Sequence, residues 1–117
     1  MSHTPALKAQ HVLLEVTGEL ALQSGEVLLR LMREAATATG ATILFDHIHP
    51  FGEGHGFTGA LILAESHMTV HTWPEHRFAA FDIFVCGDCD PSAGVDALKR
   101  HFSEDTYTVK LIQRGIN

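Results

Sequence analysis

Leu63-Ala64-Glu65-Ser66-His67-Met68-Thr69-Val70-His71-Thr72-Trp73-Pro74-Glu75 stands between two apolar runs, Ala60-Leu61-Ile62 before it and Phe78 to Val85 after it. Two apolar runs joined this tightly read as neighbouring strands. An ordinary hairpin carries Asn-Gly or Asp-Gly at its turn. Here the break falls at Glu65-Ser66-His67. A bend built from a serine hydroxyl, a carboxylate and an imidazole asks for a chemical reason beyond turning the chain.

The elements outward from this stretch follow from periodicity and punctuation. Phe57 to Ala64, Met68 to Thr72 and Phe78 to Val85 are expected strands. Upstream, His11-Val12-Leu13-Leu14-Glu15-Val16 is a strand and Glu19 to Gln23 a loop. Ser24 caps a helix that runs to about Thr39 and stops at Gly40. Val27, Leu28, Leu31, Met32, Ala35 and Ala36 recur at helical spacing and give that helix one apolar face. Thr42 to Ile48 is a further strand, closed by Pro50. Phe51-Gly52-Glu53-Gly54-His55-Gly56 reads as a flexible loop; its glycines precede no helix start of the kind that cradles phosphate. Asp90 followed by Pro91 opens a second helix as cap and first residue, with Val95, Leu98 and Phe102 as its buried stripe. Thr106 to Ile112 alternates as a last strand, and residues 1 to 8 are expected to be a loose terminus.

These elements predict an α+β fold: a two-layer sandwich, a mainly antiparallel sheet with two helices on one face, in the order βαβββαβ. The strands around the central stretch are apolar on both parities. The second sheet face then also needs cover, which a homodimer packed face on face supplies. The 117 residues form one domain, without repeats or linkers.

Composition narrows the function. The chain is 45% hydrophobic and 19% charged, which is globular. A formal charge of −6 argues against nucleic acid, whose phosphates need a basic stripe. The sign suits a cationic small ligand, or simply solubility. No stretch is long and apolar enough for a membrane span, and Met1 to Lys8 lacks the apolar core of a signal peptide. Two cysteines, Cys86 and Cys89, are too few for a disulfide framework, so a cytoplasmic protein with reduced thiols is expected. No metal centre is expected. One C-x-x-C lacks the second ligand pair of a zinc site, and His47 and His49 on one strand face read as polar surface.

Glu65-Ser66-His67, then His71-Thr72-Trp73-Pro74-Glu75, with Cys86-Gly87 closing the next strand, resembles the prokaryotic S-adenosylmethionine decarboxylases over roughly Gln10 to Arg114. Those enzymes are made as proenzymes that cut themselves before a serine and convert it to a pyruvoyl group. The chemistry has a reason. Decarboxylating an α-amino acid leaves a carbanion at Cα, which needs an electron sink bonded to the α-nitrogen. A ketone at a chain terminus can serve, through a Schiff base with the substrate amine. Serine supplies that ketone when its hydroxyl attacks the preceding carbonyl to form an ester, the ester is eliminated, and the resulting enamine is hydrolysed to the ketone.

The resemblance implies catalytic Ser66, His71 and Cys86, processing by Glu65, Ser66, Thr58 and His71, and a substrate pocket of Phe51, Trp73 and Glu75. It implies cleavage into 1–65 and 66–117, a covalent pyruvoyl cofactor from Ser66, and S-adenosylmethionine as substrate, feeding spermidine synthesis. Plainer roles stand beside these. Ser66 could be a turn hydroxyl, His71 an edge-strand histidine, Cys86 an inert strand thiol, Phe51 and Trp73 packing, and Glu75 solvated surface. The loop lacks the family's proline and is one residue longer, adding Glu53, and Thr58 stands where the family has serine. Glu53 could pair with a diamino acid, so ornithine or arginine is an alternative substrate on the same scaffold. A non-processing binding or regulatory homologue, and a thiol-redox protein using Cys86 and Cys89, are the readings from other classes.

Overall fold

The computed structural model describes residues 6–116. Six strands form one sheet: β1 (Leu7–Thr17), β2 (Ile43–Pro50), β3 (Phe57–Leu63), β4 (Ser66–Trp73), β5 (Phe78–Cys86) and β6 (Thr106–Ile116). Their spatial order is β2-β3-β4-β5-β1-β6, and every neighbouring pair is antiparallel. Two helices, α1 (Gly25–Thr39) and α2 (Pro91–Lys99), pack on one face. This is the two-layer α+β sandwich that the sequence predicts. Four strands separate the helices, matching the four segments read from the sequence, so the order is βαββββαβ, one strand more than the expected βαβββαβ. The loop expected over Glu19 to Gln23 holds a short 3-10 turn, Glu19–Leu22. The loose terminus is corrected for Leu7 and Lys8, which lie in β1; residues 1–5 lie outside the described residues. Both outer ends extend for one reason: β1 and β6 pair without interruption from Leu7↔Ile116 to Thr17↔Thr106, and ladder hydrogen bonds recruit residues whose own pattern is weak.

The helices begin and end as their caps dictate. Ser24 accepts from the Val27 amide at 3.2 Å, and Gly40 closes α1 with φ 92°. Asp90 accepts from the Ser92 amide at 2.9 Å ahead of Pro91. Gly94 lets α2 approach α1, since a Cβ there would lie 2.8 Å from Thr39 Cγ2 and 3.2 Å from Ala35 O. The core lies between this helix layer and the near sheet face: Leu31, Met32, Ala35 and Ala36 meet Leu14, Val16, Leu61, Met68, Val70, Ile83 and Leu98. The far face carries no helix. Thr58, Ala60 and Ile62 of β3, His67, Thr69, His71 and Trp73 of β4, and Phe78, Ala80, Asp82 and Phe84 of β5 share its parity. Ile62 remains 49% exposed and Trp73 41%, so this mixed face is the uncovered one that the strand pattern predicts.

Candidate active site

Leu63 pairs with Ser66, so the β3–β4 turn contains only Ala64 and Glu65. Glu65 adopts φ 58°, the left-handed region. A side chain with a Cβ costs about 1–2 kcal/mol there, and glycine or asparagine is the usual choice. The strain sits on the residue whose carbonyl joins Ser66. That carbonyl is also the acceptor of the Cys86 thiol, Sγ to O 3.0 Å, reached across the sheet from the last residue of β5. Ser66, half-buried, opens β4. Glu65, Ser66 and Cys86 therefore form one cluster at one end of the sheet. Glu65 and Cys86 also line an open cavity of about 440 Å³ with Ala6, Leu7 and Lys8.

A second cluster occupies the other end of β4. Thr58 faces His71 in register, and its hydroxyl lies 2.9 Å from His71 Nδ1. Trp73 stacks on Phe78 with centroids 5.6 Å apart and lies 6.1 Å from the His71 ring. With Phe51, His55, Phe57 and Thr72 these side chains enclose an open cavity of about 490 Å³. The glycine loop forms its rim. The Phe51 amide donates to Gly56 O at 3.1 Å. Gly56, at φ 83°, presses so closely on β4 that a Cβ would lie 2.2 Å from Thr72 O. Glu75 sits exposed in the turn Pro74–His76 and is not part of this lining. Glu53 lines a separate cavity with Leu22, Ser24 and Pro74.

The eight residues singled out from the sequence thus divide. Glu65, Ser66 and Cys86 stand together, as do Phe51, Thr58, His71 and Trp73, and Glu75 stands apart. Five residues of strand separate Ser66 from His71, about 17 Å at 3.4 Å per residue. Within one protomer the two clusters do not meet. His55 was missed in the sequence; it sits in a loop without periodicity, which offers no signal. A third group was also missed. Asp82 Oδ2 lies 2.6 Å from His11 Nε2 and 3.0 Å from His67 Nε2, and Thr69 donates to its other oxygen. Burial pushes the Asp82 carboxyl up, but hydrogen bonds from Thr69, His11 and His67 outweigh it and hold it below the usual value. A lone carboxylate inside Phe78 to Val85 was the available clue. Cys89 packs against the core beside the end of α1, where the Asp90 amide donates to Thr39 O at 2.9 Å.

Known proteins share this arrangement. The S-adenosylmethionine decarboxylase family profile matches residues 10–115. The S-adenosylmethionine decarboxylase proenzyme of Thermomicrobium roseum is 34% identical over 108 residues, 92% of this chain and 93% of that protein. The proenzyme of the same name from Caldanaerobacter subterraneus is 37% identical over 110 residues, 92% of this chain and 88% of that one. The crystal structure of adenosylmethionine decarboxylase from Aquifex aeolicus superposes with a TM-score of 0.78 at 30% identity, covering 93% of this chain and 92% of that one. The fold, the hairpin and these likenesses agree: the chain belongs to the S-adenosylmethionine decarboxylase family.

Proposed function

We propose that the chain is a proenzyme that cuts itself between Glu65 and Ser66 and then decarboxylates S-adenosylmethionine through a pyruvoyl group made from Ser66. The observation that carries this reading is the Glu65 carbonyl, held in a strained turn beside Ser66 with the Cys86 thiol 3.0 Å from its oxygen. The Ser66 hydroxyl adds to that carbonyl carbon while the Cys86 S–H stabilises the negative charge growing on oxygen. Relief of the left-handed strain at Glu65 helps the peptide bond give way to an ester. An imidazole then removes the Ser66 Cα proton as the ester leaves; His71 suits this because Thr58 orients its ring through Nδ1. These residues fit a pyruvoyl group, which when present supplies the electron sink for decarboxylation. In turnover the Cys86 thiol returns a proton to the substrate Cα. A reducing cytoplasm suits an enzyme that depends on a free thiol.

The working unit in this reading is a homodimer. A two-fold axis lying between two uncovered sheet faces, perpendicular to the strands, reverses one protomer end for end. It sets the Glu65-Ser66-Cys86 end of one protomer against the Thr58-His71-Trp73 end of its partner and covers the apolar part of both faces. Phe51 and Trp73 then stack on adenine and attract the sulfonium through cation–π contact, while Glu75 stays outside this lining. The product is the aminopropyl donor for spermidine synthesis. Glu53, the carboxylate proposed for a diamino acid, lines the neighbouring cavity, which meets this one at Phe57, so the lining around Trp73 favours S-adenosylmethionine over ornithine or arginine. Intact mass and a denaturing gel test the reading. Wild type should give chains 1–65 and 66–117, the second blocked at its terminus, and release carbon dioxide from S-adenosylmethionine. Ser66→Ala should stay one chain. A wild type that remains uncut and inert overturns the proposal.

A further inference from the structure

The group around Asp82 lies on the uncovered face, where Thr69 and Asp82 line an open cavity of about 300 Å³ together with His71, and it touches the Glu65-Ser66-Cys86 cluster through the chain. His67 directly follows Ser66. Its ring is gripped twice: Nε2 meets Asp82 Oδ2 at 3.0 Å, and its face stacks on Phe84, centroids 5.4 Å apart and 25° from parallel. His11 meets the same oxygen from β1 at 2.6 Å and lies edge-on to Phe84. Thr69 of β4, facing Asp82 in register, donates to the second oxygen.

Two histidines and a carboxylate this close have the composition of a metal site. The hydrogen-bond polarity argues otherwise. Arg114 Nη1 lies 3.2 Å from His11 Nδ1, and a guanidinium only donates. Nδ1 is therefore the acceptor, and the ring proton sits on Nε2, pointing at Asp82. A metal-bound histidine needs the reverse: a lone pair on the ligating nitrogen and an acceptor at the other. The cluster is a hydrogen-bond chain, Arg114 to His11 to Asp82, with Thr69 and His67 donating to the same carboxylate.

We propose that Asp82 is a positioning residue for self-cleavage, one that fixes His67 and through it the first residue of β4, so that the Ser66 hydroxyl meets the Glu65 carbonyl. This rests on the self-processing reading above. In the step it governs, the bond from Ser66 Oγ to the Glu65 carbonyl carbon forms, the Glu65–Ser66 C–N bond breaks, and the hydroxyl proton ends on the freed nitrogen; no outside reactant is needed. Cys86 pins the carbonyl side of that encounter. Among the described residues, the hydroxyl side has only the register of β4 and the His67 ring to hold it, and misplacing a reacting group by about 1 Å costs roughly 100-fold in rate.

The test follows first-order cleavage of freshly translated proenzyme at a temperature where circular dichroism shows every variant folded. Rates are compared between dimers isolated by size exclusion, since Asp82 lies on the face assigned to the partner. Asp82→Ala should cleave tenfold or more slowly. Asp82→Asn keeps the shape but offers one acceptor oxygen where three donors meet the carboxylate, so it should still cleave severalfold more slowly than wild type, a loss that a mere packing role would not show. Hydroxylamine, which cleaves the ester once formed, should not restore the wild-type rate, because the defect lies in forming it. Either variant cleaving at the wild-type rate, or full restoration by hydroxylamine, overturns the inference. If Asp82→Ala does not fold, the Asn variant decides alone. A wild type that never cleaves would instead sink the self-processing reading.

Discussion

If the active site is shared between protomers, two dead variants should repair each other. Ser66→Ala removes the nucleophile and His71→Ala removes the base, and the two positions lie about 17 Å apart on one strand. No side-chain rotation in a packed sheet spans that gap. In a dimer of the two variants, one site receives intact Ser66 from the His71→Ala protomer and intact His71 from the Ser66→Ala protomer, and the other site receives neither. Equal co-expression pairs the chains at random, so about half of the dimers are mixed and about a quarter of all sites are complete. Differently tagged chains, co-expressed and purified through both tags, allow the count. About a quarter of the chains in the unsorted mixture should be cleaved, all of them from the His71→Ala parent, with carbon dioxide release in the same proportion. In the doubly purified dimers both figures should double. Mixed dimers that neither cut nor turn over would refute the composite site and place Ser66 and His71 in separate roles. Full cleavage by the His71→Ala homodimer would refute the assignment of the base.

Cys86→Ala should slow self-cleavage as well as abolish most turnover, because its thiol bonds the carbonyl under attack. An S–H is a weak donor, so about tenfold in the cleavage rate is expected, read by densitometry; unchanged cleavage would confine Cys86 to turnover. Glu53→Gln should leave S-adenosylmethionine turnover within about twofold of wild type, since Glu53 lines a cavity apart from His71 and Trp73; a collapse in kcat/KM would bring it into the substrate pocket. Asp82 should contribute stability that acid removes. Its folded value lies below its unfolded one of about 3.9, so the contribution is complete above that value and disappears as pH falls through the folded one. The Tm gap between wild type and Asp82→Asn should hold from neutrality to about pH 5 and narrow below about pH 4; a gap that widens in acid would contradict the bonding described.

Sequence carried the fold because its signals are local. Ser24, Gly40, Asp90 and Pro91 mark the helix ends through bonds made within three residues, and strand alternation shows which residues share a face. It carried the reactive hairpin because a glutamate stands where a turn wants glycine, and φ 58° at Glu65 is the physical content of that oddity. It did not carry the partition of the site. Ser66 and His71 are five apart in the chain, and closeness in sequence suggests closeness in space. In a helix that would hold; in a strand each residue adds distance. Nor did it carry the Asp82 cluster, whose members come from β1, β4 and β5. Their meeting depends on register, which sequence sets only through the sum of all the pairings.

In the proposed reading, the same geometry lets a domain this small process itself and then catalyse. Self-cleavage needs strain and an oxyanion donor at the bond to be cut, and both lie within one protomer at Glu65 and Cys86. Decarboxylation needs a pocket for a large cationic nucleoside, and the aromatic cavity that suits one lies at the far end, where the glycine loop borders Thr58, His71 and Trp73. Among the described residues, no second layer covers the open face to bring those ends together. In the proposed homodimer, an antiparallel copy would supply the missing layer and the missing half-site in a single association. Dimerisation then acts as a condition for cleavage itself if His71 is the base in trans. A monomeric chain would keep its Glu65–Ser66 bond intact, which protects the strained turn until the assembly that can use its product exists.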